Sequence, residues 1–328
     1  MKEGGDATVT RMYKICLELW ESREWPGEWT SSVFIPFPKK GDLKQCKNYR
    51  TIALVSHASK ILLRIILDRI RKKTETETAD DTAGFRKGRG TRNQVCNLRI
   101  LMEKAREHQQ PLYFCFVDFQ KAFDSIPHDK LWITMLDMGY PTHLVNLLMN
   151  LYRKQFAKIR VAGTLSECFR VRKGVRQGCV LSPYLFNIIA EMVMRETLDR
   201  YTGELQIGGR HISNLRYADD IVLIATSQQE LQELVDRLHK TSGKYGLMLN
   251  KEKMKVMSTE DNTCMVYVDK KVLEQVDNFC YLGSLSTNDA KCAKEIKSRL
   301  SKGQYISAGL KRIRQSHDIA VTTKVKLL

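Results

Sequence analysis

No stretch of the 328-residue chain reaches the roughly 18 apolar residues that a helical membrane span needs. No apolar run follows Met1 either, so neither a spanning helix nor a secretory leader is expected. The nine cysteines contain no C-x-x-C pair, which argues against a zinc ribbon or knuckle. Their odd number and scattered placement predict free thiols in a reducing, intracellular compartment. No blockwise repeat is visible. Acid is in short supply: 37 Asp and Glu face 54 Lys and Arg, a formal charge of +17. That balance points to a polyanionic partner, with nucleic acid first, or as readily to a merely basic soluble surface; charge alone does not choose between them. A hydrophobic share of 43% excludes a disordered chain, and the length suits one large domain or two to three lobes.

Residues 1–25 read as a helix with Met12, Ile15, Leu19 and Trp20 on its apolar face. Ser32 to Phe37 reads as a strand, followed by a basic turn, Lys39-Lys40-Gly41-Asp42. Residues 54–73 predict an amphipathic helix with Leu54, Ala58, Ile61, Leu62, Ile65, Leu67 and Ile70 inward. Residues 74–82 read as a loop. The glycines and basic residues of 83–91 read as a flexible segment able to approach a phosphate. Leu112 to Phe119 reads as a buried strand. Thr142 to Arg153 reads as a helix, and Phe156–Val161 and Cys168–Arg172 as an antiparallel pair with a basic face. Ser182 to Arg200 predicts a buried helix, and Ser227 with Glu230 a capped start for another ending near Lys244. Strands are expected near Val256, Val266–Val268 and Phe279–Leu282, and helix after Asp289. The order predicts an α+β protein built on an antiparallel sheet.

Three acids stand out. Asp219 and Asp220 sit side by side between apolar runs, and Asp118 ends another. Paired carboxylates at a buried hairpin tip are costly without a positive partner. Three on adjacent strands could hold two Mg²⁺ ions about 4 Å apart. Taken singly, Asp219-Asp220 reads first as a type I′ turn and Asp118 as a cap. Taken together on a basic chain, they favour metal.

Phe116-Val117-Asp118-Phe119-Gln120-Lys121-Ala122-Phe123-Asp124, then Gly174-Val175-Arg176-Gln177-Gly178-Cys179-Val180-Leu181-Ser182-Pro183, then Tyr217-Ala218-Asp219-Asp220 resemble successive reverse transcriptase motifs. The text around them is similar to non-LTR (LINE-type) retrotransposon enzymes. Lys39-Lys40-Gly41-Asp42 with Asn48-Tyr49-Arg50, and Ala83-Gly84-Phe85-Arg86-Lys87-Gly88, resemble their fingers motifs. Gly246-Leu247 with Asn250 and Lys253 resembles the fourth palm motif, and Tyr281-Leu282-Gly283 the primer grip. The match runs in order over roughly residues 1–290.

The resemblance implies a right-hand polymerase: fingers over 1–110, palm with inserted fingers elements over 111–288, and the start of an incomplete helical thumb over 289–328. It implies RNA-directed DNA synthesis with an RNA template, a DNA primer, deoxynucleoside triphosphates and two Mg²⁺ ions, with Mn²⁺ as a substitute. Asp118, Asp219 and Asp220 would be the metal-binding, catalytic carboxylates. Phe123 would exclude a 2′-hydroxyl, and Gln177 and Gly178 would lie beside the nucleotide. Lys39, Lys40 and Arg50 would meet its triphosphate. Lys253 would donate a proton to departing pyrophosphate. Asp124 reads as structural. The chain departs from the family at Thr51, where Pro is usual, and at Met254, where Thr is usual. No segment resembles an endonuclease domain. The family implies a nuclear site of action. A catalytically inactive or domesticated nucleic-acid-binding remnant is the second reading.

Overall fold

The structure is a computed structural model describing residues 4–39, 41–260 and 262–326. At its centre a five-stranded sheet runs in the order Glu274–Gln275, Lys255–Ser258, Tyr113–Val117, Asp220–Ala225, Asn214–Tyr217. Three of the four contacts are antiparallel; the one at the far edge, between Lys255–Ser258 and Glu274–Gln275, is parallel. The expected α+β architecture on an antiparallel sheet is therefore present.

Successive side chains of a strand point to opposite faces, and here both faces are covered. Cys115, Val117, Ile221, Leu223 and Val256 enter one large core shared with the helices Ser182–Thr197 and Gln228–Lys244. Phe114, Phe116, Val222, Ile224 and Met257 enter a second core against the helix Thr91–Glu107. This double covering explains why the central strands read as unbroken apolar runs rather than as alternation.

A second sheet holds Tyr49–Leu54, Ser31–Pro38, Phe156–Val161 and Thr164–Leu165 in that order, with Phe169–Arg170 also pairing to Phe156–Val161. The antiparallel pairing of Phe156–Val161 with the segment near Arg170 is as expected. Ser31–Pro38 also runs parallel to Phe156–Val161, a long-range pairing with no local signal.

Several elements differ from expectation. The helix expected over 54–73 is His57–Glu77. Leu54 belongs to a strand and Ile65 is exposed; the buried stripe is Leu62, Leu63, Ile66, Leu67, Ile70 and Thr74. Of the segment 74–82 read as a loop, the first four residues extend that helix and 78–82 are non-helical as expected. The Thr74 and Thr78 hydroxyls donate to the carbonyls four residues back, and Thr74 also meets the Tyr140 hydroxyl at 2.8 Å. The helix from Ser182 stops at Thr197 rather than Arg200. Ser227 caps its helix as expected, accepting from the Glu230 amide, but the Glu230 carboxylate turns to Tyr201 and Thr226.

Candidate active site

Register brings the three acids together. Val117 pairs with Ile221, one residue before Asp118 and one after Asp220, and Asp220 pairs with Tyr217 across a two-residue turn. Ala218 holds the left-handed conformation of that turn (φ 55°), and Asp219 lies outside that region. A type I′ turn needs positive φ at both central residues, so that reading fails.

The hairpin is held mainly by main chain. The Arg216 amide donates to the Asp81 carbonyl at 3.0 Å, and the Ala83 amide to the Arg216 carbonyl at 2.9 Å. Gly84 lies so close that a Cβ there would stand 2.4 Å from the Ala218 nitrogen. The Asn187 amide fixes the Gly84 carbonyl at 2.8 Å. Gly84 therefore serves the hairpin, which corrects its reading as a loop glycine poised for phosphate. Arg86 is likewise committed, to the Glu75 carboxylate and to the carbonyls of Glu75, Ala79 and Thr82. Below the turn, Arg216 makes a buried ion pair with Glu191 at 3.1 Å.

Asp118 is fixed from a third side. The Asn250 amide donates to its carbonyl at 2.8 Å, and Asn250 Nδ2 to its Oδ2 at 2.9 Å. Lys253 Nζ stands 3.6 Å from the same oxygen. Asn250, noticed in the sequence only as part of a motif, thus positions a predicted metal ligand.

Two clefts meet at Asp118. One, of about 550 Å³, is lined by Lys39, Arg50, Asp118, Phe123, Gln177, Gly178, Asp219 and Lys253. It gathers every predicted nucleotide residue except Lys40, which lies outside the described residues. The other, of about 350 Å³, holds Asp220 beside Phe279 and Tyr281, with Asp118 and Lys253 shared. The hairpin tip thus sends its two carboxylates into different clefts.

Phe123 stacks on Phe186 with ring centroids 4.6 Å apart, which fixes its ring at the cleft wall. Gln177 Nε2 donates to Asp124 Oδ1 at 2.8 Å, and its carbonyl accepts from the Ala53 amide. Asp124 therefore lines the cleft and orients Gln177 rather than capping a helix. Gly178 has φ 95°, and a Cβ there would meet the Ala53 oxygen at 3.1 Å. Arg176 beside it points inward: it donates to the carbonyls of Trp29 and Thr30 and is buried.

The electrostatics fit a hard cation. Burial above all pushes the Asp219 carboxyl up; a backbone hydrogen bond opposes it, the Asp118 charge adds to it, and Arg50 and Lys253 relieve it least. Asp220 is pushed up to about 6 by burial, then by Asp219 and Asp118, and no side-chain cation offsets this. Oxygen donors under mutual repulsion suit Mg²⁺. Among the described residues no three acidic, His or Cys side chains already form a closed metal shell. Asn250 and Lys253 both face Asp118 Oδ2, which leaves Oδ1 without a partner among the described residues.

The fold is an α+β arrangement with three acids gathered at one end of an antiparallel sheet, the polymerase-type palm that the motifs lead one to expect. The family model described as reverse transcriptase (RNA-dependent DNA polymerase) matches residues 37–286, and the chain belongs to that family. Its relatives are enzymes of non-LTR retrotransposons. It is 29% identical over 222 residues to the Pol polyprotein of the R2 element of Nasonia vitripennis, covering 68% of this chain and 21% of that protein. It is 25% identical over 238 residues to the RNA-directed DNA polymerase from mobile element jockey of Drosophila melanogaster, covering 70% and 25%. The chain thus spans about a fifth to a quarter of these curated relatives. Among solved structures, Candida tropicalis telomerase truncated of its C-terminal domain superposes with a TM-score of 0.54 at 14% identity, covering 84% of this chain and 58% of that one. At that identity the likeness establishes the fold. No described helix is long and apolar enough to cross a membrane.

Proposed function

We propose that this chain carries out RNA-directed DNA synthesis, joining deoxynucleotides to a primer 3′-hydroxyl. The observation that carries the reading is the convergence of Asp118, Asp219, Phe123, Gln177, Arg50 and Lys39 on one cleft. Residues 1–110 serve as fingers, 111–288 as palm with inserted fingers elements, and 289–328 as the beginning of a thumb.

Asp118, Asp219 and Asp220 would hold two Mg²⁺ ions. Such ions lower the pKa of the attacking hydroxyl and stabilise charge on the departing phosphate oxygens. Arg50 and Lys39 receive the triphosphate, Arg50 through a bidentate fork and Lys39 as a point charge; Lys40 is assigned with them from its neighbour in sequence. Phe123, braced by Phe186, closes the space a 2′-hydroxyl would need. Gln177 and Gly178 form the wall beside the base and sugar. Lys253, an ammonium beside Asp118, donates the proton that pyrophosphate takes up on leaving.

Primer extension on an RNA template tests the reading, with Asp219→Ala/Asp220→Ala as control. Extension by the unaltered chain alone is expected. Equal extension by both proteins would discard the carboxylate assignment, and RNA binding without extension by the unaltered chain would favour the inactive remnant. Ribonucleotides offered alone should be used poorly by the unaltered chain and much better by Phe123→Val.

A further inference from the structure

Beyond the two clefts at Asp118, a third concavity of about 460 Å³ opens between the helices His128–Asp137 and Thr142–Arg153 and the segment after Phe169. Three arginines, Arg153, Arg170 and Arg172, line it with a single acid, Asp129. None of the three has a carboxylate partner among the described residues; the one contact between them is Arg170 Nη2 donating to the Arg153 carbonyl at 3.3 Å. All three are exposed. His128 in the same wall is held below its ordinary pKa by burial and adds no charge at neutral pH. Three uncompensated guanidinium groups on one concave surface repel one another unless an anion lies between them.

Strand register connects this pocket to the nucleotide cleft. Phe34 and Phe169 meet edge to face on the inner face of the second sheet, which faces the loop carrying Gln177. On the outer face, Arg50 stands opposite Phe37, Val33 opposite both Leu54 and Lys158, and Phe156 opposite both Ser31 and Arg170. That face therefore runs from Arg50, at the nucleotide, across Val33, Leu54 and Lys158 to Phe156 and Arg170. The path is about 25 Å long by strand rise and spacing. Its middle is apolar and open: Leu54 is 46% and Phe156 43% exposed. Apolar and aromatic surface edged with arginine suits stacked bases with phosphates outside.

We infer that Arg153, Arg170 and Arg172 form a phosphate-anchoring site for the unpaired part of an RNA strand, which reaches it from the nucleotide cleft over the outer sheet face. This rests on the reading of the cleft as the site of RNA-templated synthesis.

Equilibrium binding by anisotropy, without nucleotides, tests it. The probes are an RNA–DNA hybrid with a long unpaired RNA 5′ extension, the same hybrid made blunt, and the extended form with a DNA extension. Replacing all three arginines (Arg153→Gln/Arg170→Gln/Arg172→Gln) should weaken binding of the RNA-extended probe on the order of tenfold. It should also make the log K against log salt slope shallower by about 2, since each neutralised contact contributes about 0.7 on a single strand. Arg172→Gln alone, whose side chain makes no internal hydrogen bond and so risks no misfolding, should change the slope by about one third of that. An equal charge loss elsewhere, Arg11→Gln/Lys14→Gln/Lys240→Gln, should leave it unchanged. Equal losses on blunt and extended hybrids, equal losses from the distant triple, or a loss on the DNA extension but not on RNA would each overturn the assignment. Because binding is read without synthesis, absence of extension with this pattern intact would refute the polymerase reading and leave the anchor standing.

Discussion

At the scale of single residues, the site is a problem of excess negative charge. Asp220 is pushed up to about 6 by burial and its acidic neighbours, so a divalent cation has free energy to gain there. Millimolar Mg²⁺ should raise the melting temperature of the unaltered chain by a few degrees, following mass action, and leave Asp219→Asn/Asp220→Asn unshifted. A thermal melt with and without Mg²⁺ reads this directly. His128 supplies the acid-side counterpart. Its Nε2 meets the Gly174 carbonyl at 2.8 Å, which can only accept, so Nε2 carries the proton. Burial lowers its pKa, so the neutral ring's contribution is present above about pH 6.5 and lost as pH falls through and below that value. The drop in melting temperature from pH 7.5 to 5.5 should be smaller in His128→Gln than in the unaltered chain.

Elements show what could be read beforehand and what could not. Asp118, Asp219, Asp220, Phe123 and Gln177 were legible because their motifs follow one another in a fixed order, and the structure gathers all but Asp220 into one cleft. The helix Thr91–Glu107 was missed, although Leu98, Leu101, Met102 and Ala105 recur at helical spacing. The Gly- and Arg-rich run just before it drew the eye to a loop. The edge strand Tyr49–Leu54 was hidden for another reason. Only Ala53 of its six residues is buried, and its partner is a neighbouring strand rather than a local pattern. Gly84 was seen and misassigned, because close approach to another backbone leaves no trace in sequence. Gly84→Ala should cost about 1–3 kcal/mol as overpacking against the Ala218 main chain, and lower extension activity with it. A urea titration alongside an extension assay measures both.

For the whole molecule, order is distributed unevenly. The central sheet is closed on both faces, whereas the helix Ala293–Gly309 buries only Glu295, which ties it to Ser284 and Leu285 and pairs with Arg299 one turn on in the same helix. Leu300, Tyr305 and Ile306 stand open, Tyr305 at 83%. Amide exchange along that helix beyond Arg299 should be much faster than in Ser182–Thr197, which is buried along most of its length. Equal protection in the two helices would contradict this. Limited proteolysis should likewise cut near Arg312 and Arg314 before it reaches the sheet.

The main-chain bonds that hold the Asp219-Asp220 hairpin have a bearing on how such a sequence ages. Hydrogen bonds from Asp81, Ala83 and Arg216 backbone atoms survive whatever side chains random substitution leaves at those positions. The shape of the tip is therefore buffered against drift, while its chemistry rests on three unbuffered carboxylates. A copy released from selection would keep a well-formed hairpin long after losing the acids, so among such chains the acids, and not the hairpin, separate a working site from a silent one.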